Sequence, residues 1–321
     1  MKLLRKRLEH LPSAAQTLSG ARSISDYRQA FIQRSGLQGG RSSDKYPRPL
    51  SRHVASVITV SFNSSKTIIR TIDSVAAQTY PHIEYIIVDG GSTDGTLELL
   101  RSREYQIDIW ISEPDEGISD AFNKGIALAS GEYIAILNSD DWMEPNQIND
   151  AIKLIEQSRS DFAFGNVELH DALGQSLYNI IGDRHYQNRI LNQMPAINHP
   201  SVICNRRIYE QHGLYNCTFR LAMDYEWLLR IHKGGANGIY VSTITSHMEN
   251  TGISNTQVLN SLREVRRASI LHGYPKLFAD LRFYCRAIRL QARLFIEHYF
   301  SKRLAAKLRS LINPHYNPKS S

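Results

Sequence analysis

Cysteine is scarce: Cys204, Cys217 and Cys285 are the whole complement of a 321-residue chain, odd in number and without metal-type spacing. A disulfide-stapled fold is excluded, and the three read as reduced structural thiols, which fits a reducing cytosol. Long apolar runs are absent as well. The longest strand-like stretches, residues 85–88 and 133–137, fall far short of the ~18 to 20 apolar residues that cross a bilayer. Basic residues open the chain over 1–8, yet Pro12, Ser13, Gln16 and Ser19 replace the apolar core of a secretion signal, so no cleaved leader is expected. There is no glycine-rich phosphate loop, no internal repeat and no long low-complexity tract.

What is present is a hydrophobic fraction of 42%, ample for a buried core, and a formal charge of +7 with a pI near 9.2. That charge permits an anionic partner, whether nucleic acid, an anionic membrane surface or a phosphorylated substrate, without choosing among them.

Residues 1–53 are rich in Arg, Ser, Gln and Gly, with Gly39, Gly40, Pro47 and Pro49 close to the first strand signal. They read as a basic extension with one or two short helices, then a linker. From Val54 the pattern alternates. Strands are predicted at 54–60, 84–88, 108–112 and 133–137, and helices at 66–77, 93–101 and 119–129. Such alternation implies an α/β fold with a mainly parallel sheet flanked by helices. In open sheets of this kind ligands bind at the carboxyl ends of the strands. Those ends carry Ser61 and Asn63, then Asp89, then Asn138, Asp140 and Asp141.

The centre of that edge is acidic. An acidic site that holds a diphosphate needs a divalent cation between the two sets of negative charge, and hard carboxylate oxygens suit Mg²⁺ or Mn²⁺. Two plainer readings stay open. Ser139, Asp140 and Asp141 would also serve as caps of a helix starting near Glu144 and Pro145. The run from Asp89 through Gly90, Gly91, Ser92, Thr93 and Asp94 to Gly95 would also serve as a simple strand-to-helix turn.

Taken in order, these segments resemble the donor-binding half of the inverting family-2 glycosyltransferases with the GT-A fold. The resemblance rests on Thr59-Val60-Ser61-Phe62-Asn63, on residues 74–81 and 84–96, on Gly117 through Gly125, and on Gly131 through Asp141. It implies a GT-A, Rossmann-like nucleotide-diphospho-sugar transferase domain over 54–255. Ser61 and Asn63 would face the uridine, Asp89 would contact the nucleobase, and Asp120 and Lys124 would belong to a segment that touches the nucleotide. Asn138 stands where the family often has an acid, which leaves Asp140 and Asp141 as ligands of Mn²⁺ or Mg²⁺. A weaker likeness over residues 219–230 implies that Asp224 is the catalytic base, taking the acceptor hydroxyl proton in an inverting displacement. Without the resemblance, Asp224 and Glu226 read as a solvated helix start, with Glu226 and Arg230 an i,i+4 pair. His199 would line the acceptor side or be an ordinary loop histidine. His247, placed after a strand at 238–241, would supply a third metal ligand.

The resemblance further implies a nucleotide-diphospho-sugar donor, UDP-linked first, and a saccharide or lipid-linked saccharide acceptor in surface polysaccharide or glycolipid assembly. A nucleotidyltransferase would carry glycine and a basic residue in the first turn, where this chain has Ser61-Phe62-Asn63-Ser64-Ser65. A catalytically inactive scaffold is the other alternative, suggested by Asn138.

The third region, 256–321, is basic and helical. Over 276–309 apolar Leu277, Leu281, Tyr284, Ile288, Phe295 and Tyr299 stand near helical spacing among nine basic and two acidic residues. Two readings are open: the stripe packs on the catalytic domain, or it meets an anionic lipid surface on the inner face of the plasma membrane. Nucleic acid is not expected as a partner, because no recognition module or stacking aromatics accompany the charge.

Overall fold

The computed structural model describes residues 37–40, 54–171, 173–191, 197–250 and 257–299. The short helices expected near the N-terminus, and Lys302, Arg303, Lys307 and Arg309 of the basic tail, lie outside the described residues.

The strands are β1 (Leu37–Gly39), β2 (Ala55–Ser61), β3 (Ile83–Asp89), β4 (Ile109–Ser112), β5 (Tyr133–Asn138), β6 (Trp142–Met143), β7 (Phe162–His170), β8 (Ser176–Ile180), β9 (Ile203–Asn205) and β10 (Gly238–Glu249). The helices are α1 (Ile68–Ala76), α2 (Thr96–Ser102), α3 (Ile118–Leu128), α4 (Gln147–Ser158), α5 (Tyr186–Arg189), α6 (Arg207–His212), α7 (Met223–Lys233), α8 (Val258–Leu271) and α9 (Lys276–Tyr299). The strands form one sheet in the order β1-β4-β3-β2-β5-β9-β7-β10-β6, with β8 paired to β7. Strands β4, β3, β2 and β5 run parallel, as the alternation predicts; β9, β8, β6 and β1 add antiparallel pairs around them.

Register places the chemistry. Ser61 lies opposite Asp89, Asp89 opposite Ser112, and Val60 opposite Asn138, so four strand ends finish in one row. Helices cover both faces. On α1, Ile68, Thr71, Ile72 and Val75 are buried at helical spacing against one half of the core. On the other face α3 lies so deep that ten of its eleven residues are buried. Its Gly125 lies hard against the sheet: a Cβ there would stand 2.2 Å from Ile58 Cγ2.

Four boundaries differ from the sequence reading, each for a local reason. The N-terminal stretch contributes an edge strand, because Gly39 lets β1 pass over Glu104 and Trp110, which any Cβ would meet. Helix α2 starts at Thr96 rather than Thr93, since Gly95 turns the chain at φ 96° and Asp94 takes the Thr96 N–H. Strand β6 intervenes between Asp141 and α4, so Ser139, Asp140 and Asp141 do not cap that helix; Asn146 occupies the cap position. Strand β10 continues from Gly238 to Glu249 and therefore contains His247.

The C-terminal helices are tied to the sheet domain. Val265 and Ala268 of α8 join the main core. The fully buried Glu226 carboxylate receives Arg230 at 3.0 Å and His272 at 2.9 Å, and the Arg230 guanidinium also bonds the Leu214 carbonyl. The i,i+4 pair read from the sequence is present, but it is a buried strut.

Gly125→Ala tests the packing of α3 on β2. Ile58 Cγ2 branches at Cβ and has little freedom to withdraw, so the added methyl is expected to cost about 1 to 3 kcal/mol, read as a lower urea midpoint at unchanged slope.

Candidate active site

Asp89 ends β3 fully buried. Its Oδ1 accepts from the Ser61 hydroxyl at 2.8 Å and the Ser92 hydroxyl at 2.5 Å; its Oδ2 accepts from Gly91 N at 3.1 Å, Ser92 N at 2.8 Å and the Ser112 hydroxyl at 2.7 Å. Five donors fill a carboxylate that offers about four lone-pair sites. Asp89 is thus the hub that folds the turn and draws three strand ends together. Asn63, at φ 51°, holds the facing turn: its backbone N–H reaches Ser92 Oγ at 2.7 Å and its Oδ1 accepts Thr93 N at 2.9 Å. Between these turns Phe62 projects its ring, 64% exposed, beside Gly90 and Asp115. Phe62 lies inside the first-strand motif without being one of its expected ligand contacts; a phenylalanine between polar turn residues at a strand end is the signal that marks it.

Asp120 and Lys124 lie on the buried face of α3. The Lys124 ammonium meets Glu113 at 2.9 Å, the Pro114 carbonyl at 2.9 Å and Asp120 at 3.3 Å, while Asp120 accepts Glu116 N at 3.1 Å. Three partners occupy three ammonium donors, so this pair fixes the 113–117 loop that overhangs the row of strand ends.

The acidic turn is held from behind by α1. Arg70 donates to the Asp140 carbonyl at 2.8 Å, and the Thr71 hydroxyl contacts the Ser139 and Asp141 carbonyls at 2.9 and 2.8 Å. Ser139 is also joined to Ser64 of the first turn at 2.7 Å. With the backbone fixed, the side chains are presented together. Asp141 is 1% exposed and receives Asn138 Nδ2 at 3.0 Å, while Asn138 Oδ1 is buried with no hydrogen-bond partner among the described residues. Burial pushes the Asp141 carboxyl well above the usual carboxylate range and the Asp140 charge adds to it; Asn138, Arg70 and the Glu249 backbone pull the other way. The Asp140 carboxyl is also raised, first by burial and further by Glu249, against its own backbone and Arg70. Two carboxylates forced together, with an unsatisfied amide oxygen beside them, fit a hard divalent cation. Glu249, which pairs with Arg70 at 2.8 Å, is a third carboxylate at this turn that sequence reading missed, because β10 had to be followed to its end to reach it.

Asp224 stands on the first turn of α7, half-buried, with its Oδ1 accepting Tyr225 N at 2.7 Å. Burial holds the His199 pKa below its ordinary value, and Asp224 opposes that shift. His199 Nε2 meets the Tyr215 hydroxyl at 2.7 Å, and both rings pack on Phe122 of α3. Asn123, also on α3, clamps Tyr215 with two 2.9 Å bonds to its backbone. Glu264 of α8 accepts the backbone N–H groups of Arg220, Leu221 and Ala222 at 2.8 to 3.0 Å, setting the entry to α7. The structure therefore assembles Ser61, Asn63, Asp89, Asn138, Asp140 and Asp141 along one edge, and sets Asp224 beside His199 on segments clamped by α3.

His247 is placed elsewhere. Both ring nitrogens are engaged, Nε2 with Glu144 at 2.8 Å and Nδ1 with His170 at 3.0 Å, and the ring stacks on Trp142. It groups with Glu168 and His170 instead of with Asp140 and Asp141. The reason is the register of β10, which pairs His247 with Trp142 and with Glu168.

Asp89→Asn tests the hub. An amide oxygen and NH₂ cannot accept from donors on both sides, and about 2 kcal/mol of stability is expected to be lost in urea unfolding. An unchanged midpoint would show that the turn closes without this carboxylate.

Comparison with known proteins agrees with this architecture. Glycosyltransferase GlyA of Streptococcus pneumoniae serotype 4 is 31% identical over 135 residues, which are 41% of this chain and only 19% of that protein. An uncharacterized glycosyltransferase of Mycobacterium tuberculosis (strain ATCC 25618 / H37Rv) is 29% identical over 236 residues, 70% of this chain and 87% of its own length. In structure, the mannosyltransferase PcManGT from Pyrobaculum calidifontis, in complex with GDP-Man and Mn²⁺, shares the fold at TM-score 0.55 and 17% identity, over 90% of this chain and 86% of that one. Residues 56–216, which span the row of strand ends of β2, β3, β4 and β5, match the family model of glycosyl transferase family 2; the chain belongs to that family.

Proposed function

We propose that this chain transfers a sugar from a nucleotide diphosphate donor to an acceptor hydroxyl with inversion at the anomeric carbon. The observation that carries the reading is the acidic turn: Asp141 is buried against Asp140 with Glu249 beside it, an excess of negative charge at the carboxyl ends of parallel strands. Such a turn holds a diphosphate only through a cation. Asp140, Asp141, Glu249 and the Asn138 amide oxygen are the groups that would hold Mn²⁺ or Mg²⁺. Bound there, the ion offsets charge on the departing diphosphate.

The chain's own residues do the rest. The turns knotted by Asp89, Ser61 and Asn63 form a rigid rim for the nucleoside, and Phe62 offers an exposed ring face for the base. Asp224 takes the proton from the acceptor hydroxyl as that oxygen attacks C1 from the face opposite the diphosphate; one C–O bond forms and the other breaks. His199 and Tyr215 line the same side. The family's uridine-facing turn favours UDP, whereas the PcManGT complex holds GDP-Man, so both nucleotides belong in the assay. The acceptor class that suits this reading is a saccharide or lipid-linked saccharide of the cell surface.

The described part of α9 bears on the lipid-linked acceptor. No helix among the described residues is long and apolar enough to cross a membrane. On α9, however, Ala279, Arg282 and Arg286 face inward, and Leu277, Leu281, Tyr284 and Ile288 are 59 to 77% exposed at i, i+4, i+7 and i+11. This apolar stripe does not pack on the catalytic domain. Exposed Lys276 and Arg289 accompany it, which suits peripheral contact with an anionic bilayer on the cytoplasmic face.

Two measurements test these readings. With UDP-, GDP- and dTDP-sugars and Mn²⁺ or Mg²⁺, one donor is expected to be consumed in the presence of acceptor. Chelator and Asp141→Asn should abolish turnover, and Asp224→Asn should lower kcat by about 10² to 10⁴ with donor binding kept. Metal-dependent donor binding without turnover would leave an inactive scaffold, and no donor binding would overturn the reading. Separately, sedimentation with vesicles is expected to show binding to phosphatidylserine-containing but not purely zwitterionic bilayers, lost in Leu281→Glu/Ile288→Glu. Equal sedimentation of both proteins would remove the membrane role.

A further inference from the structure

Away from the acidic turn, three further side chains converge on one face of the sheet. Glu168 and His170 stand two residues apart on β7 and so share a face, and the parallel register sets His247 of β10 opposite Glu168. One ligand atom from each of the three lies within 4.8 Å of the other two. His170 and His247 are both 7% exposed.

The outer partners fix where the protons sit. His170 Nδ1 faces the Gly174 carbonyl at 3.1 Å, an oxygen that can only accept, so this nitrogen carries the hydrogen. His247 Nε2 faces a Glu144 carboxylate oxygen at 2.8 Å and carries its hydrogen for the same reason. In neutral rings this leaves His170 Nε2 and His247 Nδ1 as bare lone pairs, aimed at each other across 3.0 Å. Glu168 stands beside them: its Oε1 accepts the Ser176 hydroxyl, and its Oε2 is 3.6 Å from His247 Nδ1. The two facing nitrogens repel one another unless a proton or a metal cation lies between them, and the neighbouring carboxylate favours the cation.

We propose that Glu168, His170 and His247 bind a divalent transition-metal ion of the zinc class, at a site separate from the acidic turn. Each ligand already has the outer partner that protein metal sites supply, a carbonyl or carboxylate behind each histidine and a hydroxyl behind the glutamate. Two imidazoles and a carboxylate select Zn²⁺ or Co²⁺ over Mg²⁺, whereas the oxygen ligands of the acidic turn select Mg²⁺ or Mn²⁺. Metal–nitrogen bonds of 2.0 to 2.1 Å in a tetrahedron put the nitrogens about 3.3 Å apart, so the rings need to part by a few tenths of an ångström and turn until both lone pairs meet at one point beside the line between them. The ion would pin β7 to β10 and, through Glu144, to the connection before α4. It would also seat the ring of Trp142, which stacks on His247 at 5.0 Å, carries Arg70 at 3.9 Å from its centroid and directly follows Asp141.

The inference does not rest on sugar transfer, and its test reads the metal directly. The untagged full-length protein, stripped with chelator, is titrated with Zn²⁺ by calorimetry and with Co²⁺ by visible d–d absorption. One equivalent with an intense, low-coordinate Co²⁺ spectrum is expected, retained in Asp141→Asn. Affinity is expected to fall about a hundredfold or more in His170→Ala and His247→Ala, and about ten- to a hundredfold in Glu144→Gln. Should either histidine variant fail to fold by circular dichroism, the partly exposed Glu168→Gln takes its place, with the same loss expected. Absence of stoichiometric binding, or binding removed by Asp141→Asn and kept in His170→Ala, would overturn the site and leave the two imidazoles sharing a proton.

Discussion

The burial of α3 is the constraint on which the rest depends. Its sequence, Ile-Ser-Asp-Ala-Phe-Asn-Lys-Gly-Ile-Ala-Leu, includes Ser, Asp, Asn and Lys, yet ten of eleven residues are shielded from water. A polar group buried without a partner costs several kcal/mol, so each must be answered from whatever lies nearby. The answers come from both halves of the site. Lys124 and Asp120 hold the loop over the strand ends, Asn123 holds Tyr215, and Ser119 bonds the Phe219 carbonyl at 3.0 Å. One helix therefore sets the distance between the row of strand ends and the segment that carries Asp224.

The acidic turn shows a different balance. Its backbone is over-determined by Arg70 and Thr71, whereas its side chains are left in electrostatic conflict, with burial and mutual repulsion both opposing ionisation. A carboxylate pair in that state is unfavourable by itself and favourable with a cation between its members. In the proposed reading the protein would carry the geometry and a metal ion would supply the countercharge. The cluster on β7 and β10 repeats the principle with softer ligands, since outer hydrogen bonds direct lone pairs toward one point.

The helices after residue 256 are structural parts of the site as much as an appendage. Glu264 supplies a carboxylate to the backbone N–H groups that lead into α7, and His272 completes the buried Glu226–Arg230 strut on the same helix. Helix α9 then turns Arg282 and Arg286 inward and Leu277 and Leu281 outward. A cleft lined by Arg266, Arg282 and Arg286 lies between α8 and α9, and none of the residues at the strand ends lines it.

Local pattern by itself determined the parallel β2–β3–β4–β5 unit, because strand and helix periodicities differ and Gly, Pro and Asn punctuate them. It also placed Asp89, Asn138, Asp140 and Asp141 on one edge, since a residue at the end of a parallel strand has only one edge to occupy. Asp224 became a candidate base only through a family resemblance, as its surroundings look like any helix start. What the sequence left open was decided by contacts between distant segments. Cross-strand register moved His247 away from Asp141 to Glu168 and His170, and the end of a twelve-residue strand brought Glu249 to the acidic turn. Packing engaged Lys124, expected in a segment that touches the nucleotide, with Glu113, Asp120 and the Pro114 carbonyl, and faced the apolar stripe of α9 outward. Composition and periodicity record which atoms prefer water, whereas register and packing decide which of them meet, and only the folded chain fixes both.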